Sequence, residues 1–364
     1  MAPRSLDDHA LIALTPTPAE HFTFRALIAA ARRAGANKRR SPGVARFRLA
    51  LDENLLRLQA ELLADRWWPG SPRTMLVYDP KPRTITVMPF RDRVVHQCLA
   101  PLLEAAIERR MIADSYACRR GLGTHAALRR ATAWARTYRF ALHLDVVKFF
   151  PSIDRSIVRE HLARDVPLSW LHALCDRILD VDAGESTHWH FPGDDLFSPG
   201  QRRTGLPLGN LTSQLWANRY LDPIDHLVKD RLRHRAYLRY MDDMLLFHDD
   251  RAALQRLGRT IEEACWSLRL RLHPWEVRPT HGGVSFVGYR VRDDHLRVRR
   301  STVARAEGRF AEMLRQVEGG SMPASALYES LRSTFGHWSH ADTWRLKART
   351  LRRLGLLYDP NEEL

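Results

Sequence analysis

Two adjacent aspartates, Asp242 and Asp243, interrupt an apolar stretch of the chain, YLRYMDDMLLF. Apolar β-formers on both sides of a short acidic break are typical of two strands joined by a tight turn. Burying neighbouring carboxylates is costly unless a positive group pairs with them, and hard divalent cations bind carboxylate oxygens. The pattern therefore predicts either a metal-binding β-hairpin or an ordinary surface turn, where Asp is common.

A third aspartate, Asp145, ends another short apolar run, LHLD. It lies far from Asp242 along the chain, so only the fold can bring the two together. Acids at strand ends can hold two metal ions about 3.5–4 Å apart, which stabilise the attacking and the leaving oxygen of a displacement reaction. Asp154 is a weaker candidate, because its position after Pro151 predicts that it caps the next helix.

The basic charge of the chain indicates a polyanionic partner. The 364 residues carry a formal charge of +15, and the 57 basic residues are 52 Arg and 5 Lys. GC-rich coding explains the preference for Arg over Lys, but it does not explain the excess of basic over acidic residues. Nucleic acid is therefore the expected partner. The length predicts two or three subdomains around a continuous core.

The cysteines and the termini bear on location. Four cysteines are scattered without disulfide or zinc spacing, which favours a reducing cytoplasm. The N-terminal residues lack a charged start followed by an apolar run, and no apolar stretch reaches the length of a membrane span. We therefore expect a cytoplasmic protein without membrane contact.

The hydrophobic periods predict an α+β core whose antiparallel sheet carries the chemistry. Helices are expected to about residue 70, and a hairpin then precedes two helices and the Asp145 strand. Residues 155–204 should hold helices and a loop, and residues 204–233 a turn and one long amphipathic helix. After the YMDD strands we expect a helix, a second hairpin in GGVSFVGYRVRDDHLRVRR, and helices from 301 to about 355. The FGHWSHADTW segment should pack its tryptophans among those helices.

Seven ordered blocks carry a resemblance to a known family. They are LVYDPKPRTITV, SYACRRGLGTHAA, LDVVKFFPSID, GLPLGNLTSQ, YMDD, LRLRLHPWEV and GVSFVGYRV. Together they resemble the reverse transcriptases of bacterial retroelements, from about residue 30 to about 350. The resemblance implies a right-hand polymerase fold: N-terminal helices and fingers in 1–140, palm in 141–298 and helical thumb in 299–364. An insertion of about 155–204 and a primer-grip hairpin of about 283–298 would lie within the palm.

The resemblance also assigns roles to individual residues. Asp145, Asp242 and Asp243 are implied to be catalytic, and Val146 joins them in a site for two Mg²⁺ ions. Nucleotide binding is implied for Lys81, Arg83, Phe150, Leu208, Gly209 and Gln214. Template or primer binding is implied for Tyr240, Gly288, Tyr289 and Arg290. Arg91 and Arg93 are secondary nucleotide candidates that could equally form salt bridges.

Phe150 would act as a steric gate that excludes a nucleotide 2′-hydroxyl, although Phe149 or Phe150 could instead be ordinary core. The motif-D-like block has Trp275 and Glu276 where relatives often carry Lys. The general acid for pyrophosphate is therefore left between His273, which can titrate near neutral pH, and Arg278, a poor proton donor.

The GLPLGNLTSQ block bears on the subtype. Its G-x-x-x-S-Q form is similar to reverse transcriptases of diversity-generating retroelements. Leu208 cannot hydrogen-bond where an amide would reach the incoming sugar, so low fidelity is expected. The resemblance sharpens this to errors opposite template adenines.

Three functions remain open. They are an error-prone reverse transcriptase of the diversity-generating type, a related antiphage-defence enzyme, and a noncatalytic RNA-binding scaffold. Intact Asp145, Asp242 and Asp243 argue against the scaffold, because buried like charges are costly to keep. The implied partners are template RNA, a DNA or RNA primer, dNTPs and a small basic accessory protein.

Overall fold

The computed structural model describes residues 16–36, 41–78 and 82–357. Up to residue 144 the elements are α1 (Pro18–His21), α2 (Phe24–Ala34), α3 (Pro42–Leu49), α4 (Leu51–Leu63), β1 (Arg73–Tyr78), β2 (Pro82–Val87), α5 (Phe90–Glu108), α6 (Thr124–Thr137) and β3 (Phe140–Leu144). The next are α7 (Phe149–Ser152), α8 (Arg155–Asp165), α9 (Ser169–Leu179), α10 (Ser198–Gln201), α11 (Leu211–Tyr220), α12 (Asp222–His226), β4 (Tyr237–Tyr240), β5 (Asp243–His248) and α13 (Arg251–Ser267). The last are β6 (Val277–Pro279), β7 (Val284–Phe286), β8 (Tyr289–Val291), β9 (Leu296–Val298), α14 (Arg300–Glu318), α15 (Ala324–Trp338) and α16 (Trp344–Arg353).

The chain forms two compact units, each built from discontinuous segments. Unit 1 comprises Met1–Met111, Val147–Pro223 and Trp266–Leu270. Unit 2 comprises Ile112–Val146, Ile224–Cys265 and Arg271–Leu364. Each unit combines three separate stretches of the chain, whereas the predicted fingers, palm and thumb are mostly continuous ranges. The boundaries of those three subdomains therefore stay a prediction. None of the helices in the described part of the chain combines the length and the hydrophobicity that spanning a membrane requires.

Helix α5 lies at the centre of unit 1. It packs against α2 and α11, and buried residues occur along most of its length. The small residues Ala30 and Ala31 on the inner face of α2 allow its backbone to approach α5 closely. The predicted hairpin is present: β1 and β2 pair antiparallel with Arg73 opposite Val87.

Two of the predicted helices are divided. The expected N-terminal helix breaks at Ala50, whose backbone (φ −126°, ψ 53°) separates α3 from α4. The expected long amphipathic helix ends at Tyr220, and Pro223, which lacks an N–H, lies in the first turn of α12. A π-helical turn, Leu227–Arg231, follows. Helix α11 is also buried on nearly every side rather than amphipathic, since it packs on both α5 and α8.

Unit 2 is organised around an antiparallel sheet. Four strands of the described residues lie in the order β4-β5-β3-β6. Strand β5 is buried from Met244 to Phe247 because both faces of the sheet are covered. On one face α13 approaches closely at Gly258, where a Cβ would lie 3.0 Å from Leu142 Cδ2. Strand β6 was not predicted, since its three residues end in a proline that suits only a sheet edge.

The second predicted hairpin is a three-stranded meander, β7-β8-β9. Val287 and Gly288 both have positive φ in the turn between β7 and β8, as two-residue hairpin turns commonly require. The inner face of the meander shares one apolar cluster with α14, α15 and β5. Within these C-terminal helices Trp338 is fully buried as expected, but Trp344 is 80% exposed, so the packing prediction is wrong for that side chain.

Candidate active site

The fold of unit 2 brings two of the predicted acids to one end of its sheet. Asp145 directly follows β3, and Asp243 is the first residue of β5. Strands β3 and β5 are antiparallel neighbours with Leu144 opposite Met244, so the end of one lies beside the start of the other. The sheet register, which sequence alone does not give, thus makes neighbours of residues distant along the chain.

The electrostatics of Asp145 show that the two carboxylates interact. Burial raises the pKa of Asp145, and the negative charge of Asp243 raises it further. The charges of His143 and His273 and the N–H of Val146 act in the opposite direction. A half-buried carboxylate whose ionised form is disfavoured by a like charge is typical of a site that receives positive charge.

The turn between β4 and β5 carries the remaining acid. Tyr240 pairs with Asp243, so Met241 and Asp242 form a two-residue turn. Met241 adopts the left-handed region at φ +55°, and Asp242 is half-buried. Thr124, the first residue of α6, donates its hydroxyl to the Tyr240 phenol oxygen at 3.1 Å. The predicted template-binding tyrosine is therefore tied to the Gly-rich turn that precedes α6.

His143 belongs to this site although sequence analysis did not select it. Its Nε2 lies 2.7 Å from Asp243 Oδ1. The signal was present, because His143 and Asp145 are two residues apart at a strand end and side chains two apart share a face. A polar residue two positions before Asp145 in an apolar strand therefore indicates a side chain that lies beside the acidic site.

The predicted nucleotide-binding residues belong to unit 1, where strand β2 meets the GLPLG block. Thr86 N–H donates to the Leu208 carbonyl at 3.0 Å. Gly209 has φ +106°, a backbone conformation that favours glycine, and a Cβ there would lie only 3.1 Å from Ile85 Cγ2. Arg83, on the same strand, is exposed and available to an anion. Lys81 lies outside the described residues.

Phe150 and Gln214 flank the same block. Leu206 N–H donates to the Phe150 carbonyl at 3.0 Å, which holds the short helix α7 against the block. Phe149 is buried at 3% exposure and Phe150 is half-buried, so Phe149 is the core member of the pair. Gln214 is half-buried in the first turn of α11.

The predicted primer-grip residues lie at the β7–β8 turn of unit 2. Gly288 takes φ +89°, and Arg290 is exposed while donating from Nε to the Gly282 carbonyl at 3.0 Å. Tyr289 is fully buried, and its hydroxyl donates to the His337 carbonyl. In this conformation Tyr289 shapes the hairpin, and any primer contact it makes runs through its backbone.

Comparison with known proteins identifies the family of the chain. The family model described as reverse transcriptase (RNA-dependent DNA polymerase) matches residues 78–291, more than half of the chain. The chain belongs to the reverse transcriptase family. The family match agrees with the predicted enzyme class, RNA-directed DNA polymerase. No curated protein matches the chain at a significant level.

A solved structure supports the fold. The chain is similar to telomerase from Candida albicans, solved in complex with a TWJ fragment of telomeric RNA, with 12% identity and a TM-score of 0.50. The similarity covers 79% of this chain and 54% of that chain, so this chain spans about half the length of the telomerase. Together with the family match, it confirms the predicted α+β right-hand polymerase fold.

Enzymes of this family generally act with divalent metal ions, so the donor set of the site is relevant. Among the described residues, no group of three or more His, Cys, Asp or Glu side chains forms a metal cage by itself. Mg²⁺ does not need one, because it commonly binds through one or two carboxylates, water and substrate phosphates. The interacting acids Asp145 and Asp243, with Asp242 in the adjoining turn, fit that requirement. Val146 could contribute only its backbone carbonyl.

The two candidates for the general acid differ in position. His273 donates its backbone N–H to the Asp145 carbonyl at 2.8 Å, and its charge acts on the Asp145 carboxylate. Arg278 is exposed and pairs with Glu276. His273 is therefore the candidate adjacent to the acids, whereas Arg278 has a carboxylate partner of its own.

The secondary candidates have structural partners within unit 1. Asp154 caps α8, accepting the Ser156 N–H at 2.8 Å, as the sequence predicted. Arg91 forms an ion pair with Glu61, which is the salt-bridge alternative. The Arg93 guanidinium lies 5.1 Å from the centre of the Phe90 ring.

Proposed function

We propose that this chain makes cDNA from a retroelement RNA by nucleotidyl transfer at a site holding two Mg²⁺ ions, with low fidelity as in diversity-generating retroelements. The observation that carries the proposal is the interaction of Asp145 with Asp243 at adjacent strand ends. A like-charge pair is unfavourable in a protein that has no cation to bind there. The pair therefore supports an active enzyme over a noncatalytic scaffold.

The chain's own residues orient this site. The bound ions would supply activation of the primer 3′-hydroxyl and neutralisation of the triphosphate charge. His143, within hydrogen-bonding distance of Asp243, restricts the rotation of that carboxylate. The Asp145 carbonyl accepts the His273 N–H, which anchors the backbone at the first acid. Holding the acids before substrate arrives lowers the reorganisation that the reaction requires.

Phe150 is proposed to select deoxynucleotides. Replacing Phe150 by Ala should lower discrimination against ribonucleotides by about 10- to 100-fold, because a missing ring would admit the 2′-hydroxyl. The measurement is kcat/KM for each dNTP and its rNTP on one primed RNA template. Phe149→Ala is the matched control: it removes a buried ring and should lower stability without changing sugar selection. Equal discrimination in Phe150→Ala and the natural enzyme would contradict the gate.

Leu208 is proposed to relax base selection. Leu208→Gln should lower misincorporation by about 10-fold, because an amide at this half-buried position could hydrogen-bond the incoming nucleotide. Sequencing cDNA from a defined RNA template measures this, and Leu208→Met, which adds no amide, should keep the natural error rate. Equal error rates in all three proteins would remove Leu208 as the cause of low fidelity.

Primer extension on RNA with Mg²⁺ and each dNTP tests the function as a whole. Extension with errors concentrated at template adenines would support the diversity-generating assignment. Accurate extension would favour a defence enzyme or another retroelement. Failure to extend on a generic template, repeated with the RNA encoded beside the gene, would overturn the proposed activity.

A further inference from the structure

An ion pair without any solvent exposure lies beside the catalytic turn in unit 2. Arg239 of β4 and Asp225 of α12 are both 0% exposed. Arg239 Nε donates to both Asp225 oxygens, at 2.8 and 3.0 Å, and Nη2 donates to Oδ2 at 2.5 Å. The Tyr237 hydroxyl donates to Asp225 Oδ1 at 2.7 Å. Buried pairs of this kind are often no more stable than apolar residues of similar volume, so stability alone does not account for it.

The remaining arm of the guanidinium reaches the catalytic turn. Arg239 Nη1 donates to the Met241 carbonyl at 3.0 Å. Met241 has φ +55°, a left-handed conformation that is unfavourable for a residue with a long side chain and that persists when its surroundings hold it. The next two residues are Asp242 and Asp243. One guanidinium therefore connects the buried carboxylate of α12 to the strained position of the turn.

The backbone of Arg239 is held as well. Its N–H donates to the Asp114 carbonyl, and its carbonyl accepts the Tyr116 N–H, both at 2.9 Å. With backbone and carboxylate contacts both made, the guanidinium plane has little freedom, and Nη1 stays directed at Met241. A lysine would not reproduce these contacts, because Nε and Nη2 bond the Asp225 carboxylate while Nη1 bonds the Met241 carbonyl, and one ammonium nitrogen cannot occupy all three positions.

We infer that Arg239, held in place by Asp225, is a positioning residue that sets the conformation of the turn from Tyr240 to Asp243 and so the placement of its two acids. The inference rests on the proposed function and adds to it a residue that touches neither metal nor substrate. It predicts that loss of the Arg239 contact to Met241 impairs metal use even where the fold is intact.

The test is an apolar triple variant, Asp225→Leu, Tyr237→Phe and Arg239→Met. The variant removes the carboxylate, the hydroxyl and the guanidinium together, so no member of this network remains buried after losing its partner. The melting temperature should therefore stay close to that of the natural enzyme. We expect kcat for single-nucleotide incorporation to fall about 10²-fold from misplacement of the acids. The Mg²⁺ concentration for half-maximal rate should rise about 10-fold or more, with the KM for dNTP nearly unchanged.

The matched control replaces another ion pair with little exposure, Asp194→Leu with Arg202→Met, in the 180–205 loop of unit 1. It should leave the Mg²⁺ requirement unchanged. An apolar triple variant with natural kcat and natural Mg²⁺ requirement would overturn the inference. Absence of activity in the natural enzyme would instead count against the proposed function, so the two failures are distinguishable.

A second variant keeps the inference testable if the triple variant does not fold. Arg239→Lys retains the charge and a partner for Asp225 but loses the contact to Met241. Its melting temperature should stay near the natural value, while kcat falls about 10-fold or more and the Mg²⁺ requirement rises. A folded Arg239→Lys enzyme with natural kcat and Mg²⁺ requirement would overturn the assignment of Arg239 as a positioning residue.

Discussion

Replacing Asp242 and Asp243 together by Asn should lower primer extension on an RNA template by about 10³-fold. The carboxylates of this turn are proposed to bind the metal ions, and loss of several kcal/mol of transition-state stabilisation corresponds to a factor of that size. Asn keeps the shape of Asp but removes its charge. The measurement is the rate of single-nucleotide incorporation at saturating dNTP and Mg²⁺.

The folded state should tolerate this double substitution. Asp243 raises the pKa of Asp145 by repulsion, so removing its charge relieves an unfavourable interaction in the half-buried site. His143 can still hydrogen-bond to an amide oxygen at position 243. The melting temperature should therefore stay the same or rise, which separates loss of chemistry from loss of structure.

The same strand supplies the control. Strand β5 is followed by a second adjacent pair, Asp249 and Asp250, at its other end. Asp249 accepts the Arg139 N–H and Asp250 accepts the Ala252 N–H, and Asn could accept both. Asp249→Asn with Asp250→Asn makes the same change in charge and should extend primers at nearly the natural rate. Natural activity in the Asp242, Asp243 variant would refute the catalytic assignment.

Much of the sheet in unit 2 could be predicted because the sequence patterns that indicate its strands are local. The acidic break in YLRYMDDMLLF indicated a tight turn between two strands, and β4 and β5 meet there. The adjacency of Asp145 was an expectation that only strand pairing could confirm, since no local pattern specifies which strands are neighbours. Strand β6 was missed for a similar reason: only its pairing with β3 makes a strand of three residues that end in a proline.

The partners of buried charges were beyond sequence reasoning. Arg239 sits in an apolar strand, and a buried guanidinium requires an acidic partner. Any of the chain's acids could have been that partner, and Asp225 lies on a separate helix. His143 was closer to detection, because its spacing from Asp145 is a local signal. For Tyr289 the motif indicates a primer-grip hairpin, but the sequence pattern does not reveal that the ring of this residue is buried.

Breaking the buried ion pair from one side should destabilise the protein more than removing it whole. Asp225→Leu alone should lower the free energy of unfolding by about 3–5 kcal/mol, because it leaves the fully buried Arg239 charged and without its carboxylate. The Tyr237 hydroxyl would also lose its acceptor, which adds a further penalty. Urea unfolding followed by circular dichroism measures the change.

The comparison that decides this prediction is with the apolar triple variant. Adding Tyr237→Phe and Arg239→Met to Asp225→Leu should restore most of the lost stability, because residues in one buried network are strongly non-additive. Catalysis should not return with it, since the contact from Arg239 to Met241 is still absent. Stability and activity would then respond differently to the same three residues, as expected of a guanidinium that bonds a buried carboxylate on one side and the turn from Tyr240 to Asp243 on the other. An Asp225→Leu protein as stable as the natural one would show that the buried charge finds another partner, and activity restored along with stability would assign the pair to folding alone.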